Sequence, residues 1–468
     1  MTPEPKAYQT TGIDFLAPRS AAILGDDAGL GKSMQLIRAA DQIGAKRIII
    51  VCPAIGMVSW RQQLAQWQTL SRQVLFATAE APTGPCVLVV TYDWLSRKQH
   101  RIALQARLVM EPADLLVLDE AHYLKTPTAR RTLAVYGQRL EGTASLDGIA
   151  GYASRVWIAS ATLHPNNASE LYTHIKALFP DVLVELFGKQ VNQYQFRDRF
   201  CHTRDTPFGV KILGNNRANV PALKAALTPH MLVRKKADVL PEIGPLQCLE
   251  LPLEVGDKTA LDADVIDQRL RTAAQAIGLN ISDDDDDDDA FLALLANMAP
   301  EAASERQKVG LAKVAPTVAW IKDRLDNDPG KKLVVFAHHR EVIGQLMAEL
   351  DGYSPVKIDG GTPLADKVTA ADRFQTDPDC RVLVGQIVAA GTSITLTAAD
   401  EAVLIEPDWT PVTNYQAISR LHRLGQKSTV TAWFATLAGT HDQRVGRALR
   451  RKAADSAQLF GELPGGFI

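Results

Sequence analysis

At 468 residues, 46% of them hydrophobic and 22% charged, the chain has room for about three domain-sized units and is too apolar to be a disordered polymer. A formal net charge of −2 excludes a surface that coats nucleic acid by bulk charge, so a nucleic-acid binder of this composition needs a local basic groove. Five widely spaced cysteines argue against a zinc ribbon or a disulfide framework and for a reducing, intracellular setting. No signal-like N-terminus and no apolar run near about 20 residues are present, which predicts a soluble protein with no membrane association.

In chain order, Ala21-Ala22-Ile23-Leu24 reads as a short buried strand. It runs through Gly29-Leu30-Gly31-Lys32-Ser33 into a helix whose Met34, Ile37 and Ala40 share a face and which Gly44 stops. Ile48 to Val51, Val87 to Val90, Leu115 to Leu118 and Val156 to Ala159 are continuous apolar runs, the pattern of strands buried on both faces. Trp60, Leu64 and Trp67 recur at i, i+4 and i+7, a stripe read as core packing, with a DNA contact as the other reading. Residues 163–234 read as mostly helical with no strong strand, an insertion on the first lobe. Pro241, Gly244, Pro245 and Pro252 break the pattern between Lys235 and Pro252, where the boundary is expected. A second helical insertion is expected at about 257–312. It contains Asp283 through Asp289, seven aspartates that read as a solvated loop; a metal site or a basic partner is the alternative. Strands return at Leu333 to Phe336, Val382 to Val384 and Ala402 to Ile405. Two sets of apolar strands alternating with helices predict an α/β protein of two parallel-sheet lobes in tandem, residues 1–235 and 236–468.

The chemistry concentrates at three places. In Gly29-Leu30-Gly31-Lys32-Ser33, glycines let backbone N–H groups curl around phosphate oxygens, and the helix N-terminus adds positive potential. Lys32 is placed to neutralise outer phosphates and Ser33 to hold Mg²⁺. The first glycine of the strict pattern is replaced by Asp26, with Gly25 one place early. Asp119-Glu120 ends the strand Leu115 to Leu118, where ligands of α/β sheets bind. Asp119 is placed to hold the Mg²⁺ shell and Glu120 to orient and deprotonate an attacking water; two helix-capping acids are the bland alternative. His122 is ambiguous and could relay between this site and the lobe interface. Near the C-terminus, Gln416, Arg420 and Arg423 are expected on one helix face, either solvated or facing a bound triphosphate.

At this point the chain resembles the Swi/Snf-like ATPases, the DNA-translocating branch of superfamily-two helicases, from about Tyr8 to Lys452. Tyr8-Gln9-Thr10-Thr11-Gly12 looks like the family's glutamine motif, and Asp26 to Ser33 like its phosphate loop, which accounts for Asp26. Asp119-Glu120-Ala121-His122 is similar to its acidic box and Ser160-Ala161-Thr162 to motif three. Leu232 to Pro241 looks like a junction segment, Gly391 to Ala399 like motif five, and Gln416 to Gln426 like motif six. Trp409-Thr410-Pro411 and Gly439-Thr440-His441-Asp442 look most like the strand-annealing, fork-remodelling subgroup, whose accessory DNA-recognition modules have no counterpart here.

The resemblance implies two RecA-like lobes and a DNA-stimulated ATPase that binds ATP and Mg²⁺. Gln9 would read adenine, and Gly29, Leu30, Gly31, Lys32, Ser33 and Asp119 would hold the nucleotide and metal. Glu120, Gln416, Arg420 and Arg423 would act in hydrolysis. Ser160, Thr162, Thr392 and Ser393 would touch the DNA backbone, as would Thr91-Tyr92-Asp93 and His338-His339-Arg340. The function so implied is a monomeric translocase on double-stranded DNA that remodels DNA–protein complexes or reanneals strands. Two alternatives stand beside it: a strand-separating helicase on DNA or RNA, and an ATP-gated binding subunit that does not hydrolyse.

Overall fold

The computed structural model of the chain describes residues 4–54, 56–78, 84–137, 148–161, 163, 166–206, 209–254, 299–390, 394–437 and 442–460. Two compact units divide it. One comprises Met1–His202, Gly214–Val239 and Gln458–Gly461; the other comprises Thr203–Leu213, Leu240–Ala457 and Glu462–Ile468. Each unit is built on one parallel sheet.

The strands before residue 240 are β1 (Ala21–Leu24), β2 (Arg47–Cys52), β3 (Gln73–Phe76), β4 (Cys86–Thr91), β5 (Leu115–Asp119), β6 (Val156–Ala159), β7 (Cys201–Thr206), β8 (Gly209–Asn215) and β9 (Met231–Leu232). The first sheet has seven strands in the order β3-β4-β2-β5-β6-β1-β9, all parallel. Helices on both faces explain the uninterrupted apolar runs, since a parallel strand has no wet face along which to alternate. Met34, Ile37 and Ala40 of helix Lys32–Gln42 pack with Trp60 and Leu64 of helix Gly56–Trp67 against Ile48, Ile50, Val87 and Val117, with Trp67 at the margin. Gly44 follows the first of these helices at φ +65°, a left-handed conformation that an L side chain resists.

One expectation needs correction. Residues 163–234 do contain well-formed strands: β7 and β8 pair as a two-stranded sheet, and β9 adds the last strand of the first sheet beside β1. β7 reads Cys-His-Thr-Arg-Asp-Thr with residues 202–205 exposed, so no apolar run announces it. Of the second expected insertion, residues 255–298 lie outside the described residues, the seven aspartates among them. Residues 299–312 open a single 29-residue helix, Ala299–Asn327.

The second sheet holds β10 (Leu246–Leu253), β11 (Leu333–Ala337), β12 (Val356–Ile358), β13 (Val382–Gln386), β14 (Glu401–Leu404) and β15 (Val430–Leu437). Its order is β10-β15-β14-β11-β13-β12, again all parallel. Val335, Val384, Val403 and Ala435 form its centre, covered by Val318 and Ile321 of helix Ala299–Asn327 and by Val342 and Leu346 of helix Arg340–Glu349. In both units the loops after the strands therefore gather on one edge of a sheet, the edge where α/β proteins place ligands.

Candidate active site

The loop after β1 turns on two left-handed glycines, Gly29 at φ +92° and Gly31 at φ +77°, and Gly31 caps helix Lys32–Gln42. Ser33 is the second residue of that helix. Leu30 is buried and its carbonyl is a hub, accepting from Tyr8 Oη at 3.3 Å, Gln9 Nε2 at 3.3 Å and Gln35 Nε2 at 3.2 Å. Lys6 N also donates to Gln9 Oε1 at 2.9 Å. Gln9, the expected adenine reader, thus presses on the glycine loop, and a Cβ at Gly31 would lie 2.6 Å from its amide nitrogen. Lys32 Nζ donates to the carbonyls of Asp26 at 2.7 Å and Asp27 at 3.2 Å. Among the described residues no carboxylate pairs with that ammonium.

β5 delivers Asp119 and Glu120 to the same edge, one strand away from β1 across β6. Glu120 sits at φ 50°, ψ 50°, left-handed for a residue with a side chain. Strain of this kind costs on the order of 1–3 kcal/mol and gathers at functional positions. Its Oε2 lies 3.2 Å from His122 Nδ1 and accepts from Ser160 Oγ at 3.2 Å. Burial pushes the Glu120 carboxyl up. The hydrogen bond and charge of His122, the charge of Lys32 and the Ser160 hydroxyl outweigh that and hold it well below the usual range. Asp119 goes the other way: burial first, and then the charge of Glu120, raise its carboxyl, while Trp60 and Lys32 oppose the rise. Trp60 Nε1 donates to Asp119 Oδ2 at 2.8 Å, and Tyr92 Oη donates to the Asp119 carbonyl at 2.8 Å.

The pair fits a hard divalent cation. Two adjacent carboxylates offer hard oxygen donors, and one raises the other, a tension that added positive charge relieves. No cluster of three or more His, Cys, Asp or Glu that could hold a metal occurs among the described residues. A cation here would take most of its ligands from phosphate oxygens and water, as Mg²⁺ does.

In the second unit, helix Pro411–Ile418 carries Gln416 and then ends, so Arg420 and Arg423 do not share a helix face with it; this corrects the sequence expectation. The Arg420 carbonyl accepts Leu396 N at 2.9 Å instead of a helical partner. His422 Nε2 lies 2.8 Å from the carbonyl of Gly244, and Gln426 Nε2 donates to the carbonyls of Thr397 at 3.2 Å and Ala399 at 2.9 Å. These bonds to other loops outbid the next helical turn. Arg423 Nη1 donates to Ile394 O at 3.0 Å and Thr395 Oγ1 at 3.1 Å, and among the described residues no carboxylate pairs with it.

Of the expected DNA contacts, Thr162, Thr392 and Ser393 lie outside the described residues. Ser160 is fully buried beside Glu120. Thr91 caps the short helix Tyr92–Ser96 by accepting Trp94 N at 3.0 Å. His338 and His339 donate their backbone N–H groups, each at 2.9 Å, to Glu406 Oε2. Sequence reasoning missed Glu406, which is 2% exposed and pairs with His339 Nδ1 at 2.6 Å. It follows a buried apolar strand as Asp119 does, which was the available signal. It also missed the polar end of Trp60 and the engagement of Arg234 with Asp26, for which no local pattern exists.

A family model described as "SNF2-related domain" matches residues 8–258. The chain belongs to the SNF2-related family. A second model, "Helicase conserved C-terminal domain", matches residues 316–425. Among curated relatives, the "SWI/SNF-related matrix-associated actin-dependent regulator of chromatin subfamily A-like protein 1" of Xenopus tropicalis is 26% identical over 95% of this SNF2-related chain and 44% of its own. The Caenorhabditis elegans homolog is 27% identical over 95% and 60%. The "DNA annealing helicase and endonuclease ZRANB3" of Mus musculus is 26% identical over 95% and 40%. The chain therefore spans between 40% and 60% of the length of these relatives. A solved structure, "Sulfolobus solfataricus SWI2/SNF2 ATPase core in complex with dsDNA", aligns over 98% of this chain and 95% of its own at 18% identity and a TM-score of 0.43.

Proposed function

We propose that this SNF2-related chain is a DNA-stimulated ATPase that moves along double-stranded DNA, remodelling DNA–protein complexes or reannealing separated strands. The observation that carries the reading is the meeting of Lys32, on its glycine-hinged loop, with Asp119 and Glu120 at one sheet edge, near enough for the lysine's charge to act on both carboxylates. The relatives, an annealing helicase among them, favour the DNA chemistry.

In this reading residues 1–235 and 236–468 act as two RecA-like lobes of a monomer. The loop N–H groups of Gly29, Leu30 and Gly31 cradle the phosphates, and Lys32 leaves the carbonyls of Asp26 and Asp27 to neutralise them. Ser33 and Asp119 would hold Mg²⁺, which supplies charge neutralisation between the outer phosphates. Glu120, kept ionised by His122 and Ser160, accepts the proton of the attacking water. Gln9 abuts the base. Arg423, which among the described residues rests on neutral oxygens, would lend its charge to the transferring phosphoryl group, with Arg420 and Gln416 nearby in the chain. Such an arginine is worth roughly 10³–10⁵ in rate. Thr162, Thr392 and Ser393 would touch the DNA backbone, and Ser160, fully buried against Glu120, would reach it only after a local rearrangement.

ATP hydrolysis measured with no effector and with single-stranded, duplex and forked DNA and RNA tests this. Stimulation by duplex at low salt is expected. A rate indifferent to duplex, or stimulated by RNA alone, overturns it. Triplex displacement without fork unwinding is the expected pattern for a translocase, and unwinding without displacement would assign a strand-separating helicase.

A further inference from the structure

Three residues far upstream in the chain, Tyr8, Asp26 and Gln35, meet on the guanidinium of Arg234. Its Nε donates to Asp26 Oδ1 at 2.9 Å, and its Nη2 donates to Asp26 Oδ2 and, at 2.7 Å, to Gln35 Oε1. Its Nη1 donates to the backbone carbonyl of Tyr8. The planar fork matches a carboxylate in two places at once, a geometry a lysine cannot copy. The Asp26 side chain is fully buried and that of Arg234 is 12% exposed. Gly12 shows how closely the parts are drawn together: a Cβ there would lie 1.8 Å from Gln35 Oε1 and 2.8 Å from Arg234 Nη2.

The next residue along repeats the link. Asp27 Oδ1 faces Lys235 Nζ at 3.3 Å, its Oδ2 accepts Lys236 N at 3.0 Å, and its own N–H donates to the Arg234 carbonyl at 3.0 Å. The two residues whose side chains hold Arg234, Lys235 and Lys236 are also the two whose carbonyls hold Lys32 Nζ. Any phosphate on the loop competes for that ammonium. Releasing it frees the Asp26–Asp27 backbone, and the side chains of the same two residues pass the change to the segment 232–239. That segment continues, at Leu240, into the second unit.

We propose that Arg234 is a positioning residue that couples phosphate occupancy of the loop to the conformation of the junction 232–239. This deepens the ATPase reading and rests on it. A pair that only stabilised the fold would hold the junction in the same state with or without nucleotide, so the two roles separate experimentally.

The deciding experiment is amide hydrogen exchange of the full chain with and without ADP or a non-hydrolysable ATP analogue. The expected result is slowed exchange at residues 25–33 together with a change of about threefold or more at residues 235–239. Protection of the loop with unchanged junction amides overturns the coupling and leaves the ATPase reading standing. Absence of both nucleotide protection and ATP hydrolysis in the wild-type chain overturns that reading, and the coupling with it. A neutral pair, Asp26→Asn with Arg234→Gln, leaves no uncompensated buried charge and should stay folded. It should still show loop protection by ADP, lose the junction response and lose roughly tenfold in duplex-stimulated rate. Retention of both by the folded double variant overturns the proposal. An unfolded double variant leaves the wild-type exchange result to decide.

Discussion

At the scale of single residues, the site is governed by which polar atoms have partners of opposite charge and which do not. Asp119 is raised by burial and by Glu120, and among the described residues its side-chain hydrogen bond comes from Trp60 Nε1. Trp60→Phe keeps most of the packing and deletes that donor. Losing a hydrogen bond to a charged group costs on the order of 1.5–3 kcal/mol, and here the loss falls on the ionised form of the carboxylate. The expected outcome is a chain that folds and hydrolyses ATP with a roughly tenfold higher Mg²⁺ concentration at half-maximal rate. An unchanged Mg²⁺ requirement would mean that Asp119 does not hold the metal. Arg423 has only neutral acceptors among the described residues. Its charge is therefore free to stabilise a transition state, and Arg423→Ala should lower kcat by at least about 10³ with little change in ATP affinity. A tenfold loss of affinity, read from nucleotide titration, would assign Arg423 to ground-state binding instead.

At the scale of elements, the segment after helix Pro411–Ile418 shows how side chains can stop a helix. Gln426 is 6% exposed and its amide holds the carbonyls of Thr397 and Ala399, while Gly425 turns the chain at φ +101°. Gln426→Ala leaves both carbonyls short of a donor, a cost of about 1–3 kcal/mol. It should lower the melting temperature of the second unit and, by loosening the turn that carries Arg423, lower kcat; an unchanged melting curve would refute the clasp. Nothing in the residues Gln416 to Gln426 shows this locally, because their partners, Gly244, Leu396, Thr397 and Ala399, lie elsewhere in the chain. Central strands were legible for the opposite reason: β2, β4, β5 and β11 are buried on both faces, so their pattern is continuous and needs no partner to be seen. Edge strands were not. β10 alternates buried and exposed residues and contains Pro252, β3 is only partly buried, and β12 is three residues long. The positions of the acidic pair and of the glycine loop were legible because glycines and carboxylates after apolar strands are local signals. The fork from Arg234 to Asp26, 208 residues apart, was not.

At the scale of the whole molecule, pH and salt probe what no single contact reveals. His174 is fully buried against Tyr136 Oη at 2.8 Å, and burial, helped by the charge of His122, pushes its imidazole down to about 3. In the unfolded chain the same group titrates near about 6.5, so above that pH both states are neutral and its stabilising contribution is whole. As pH falls below about 6.5 the unfolded state takes up the proton first, and stability drops by up to about 1.4 kcal/mol per unit until the folded group titrates. His174→Gln should flatten the loss of thermal stability between pH 6.5 and 4.5, and a slope equal to that of the wild type would mean the imidazole is not held neutral. Salt tests the proposed grip on DNA. A chain of net charge −2 has no bulk attraction for a polyanion, so duplex binding must come from a few localised phosphate contacts. Neutralising about three phosphates makes the duplex concentration at half-maximal stimulation rise roughly 40-fold between 50 and 200 mM salt. The unstimulated rate should hardly move, because the nucleotide site is partly buried and screened less. Duplexes of unrelated sequence should give the same slope, since backbone contacts carry no base information. A salt-insensitive stimulation that differs among sequences would point to base readout in a groove and would remove the basis for processive movement along the backbone.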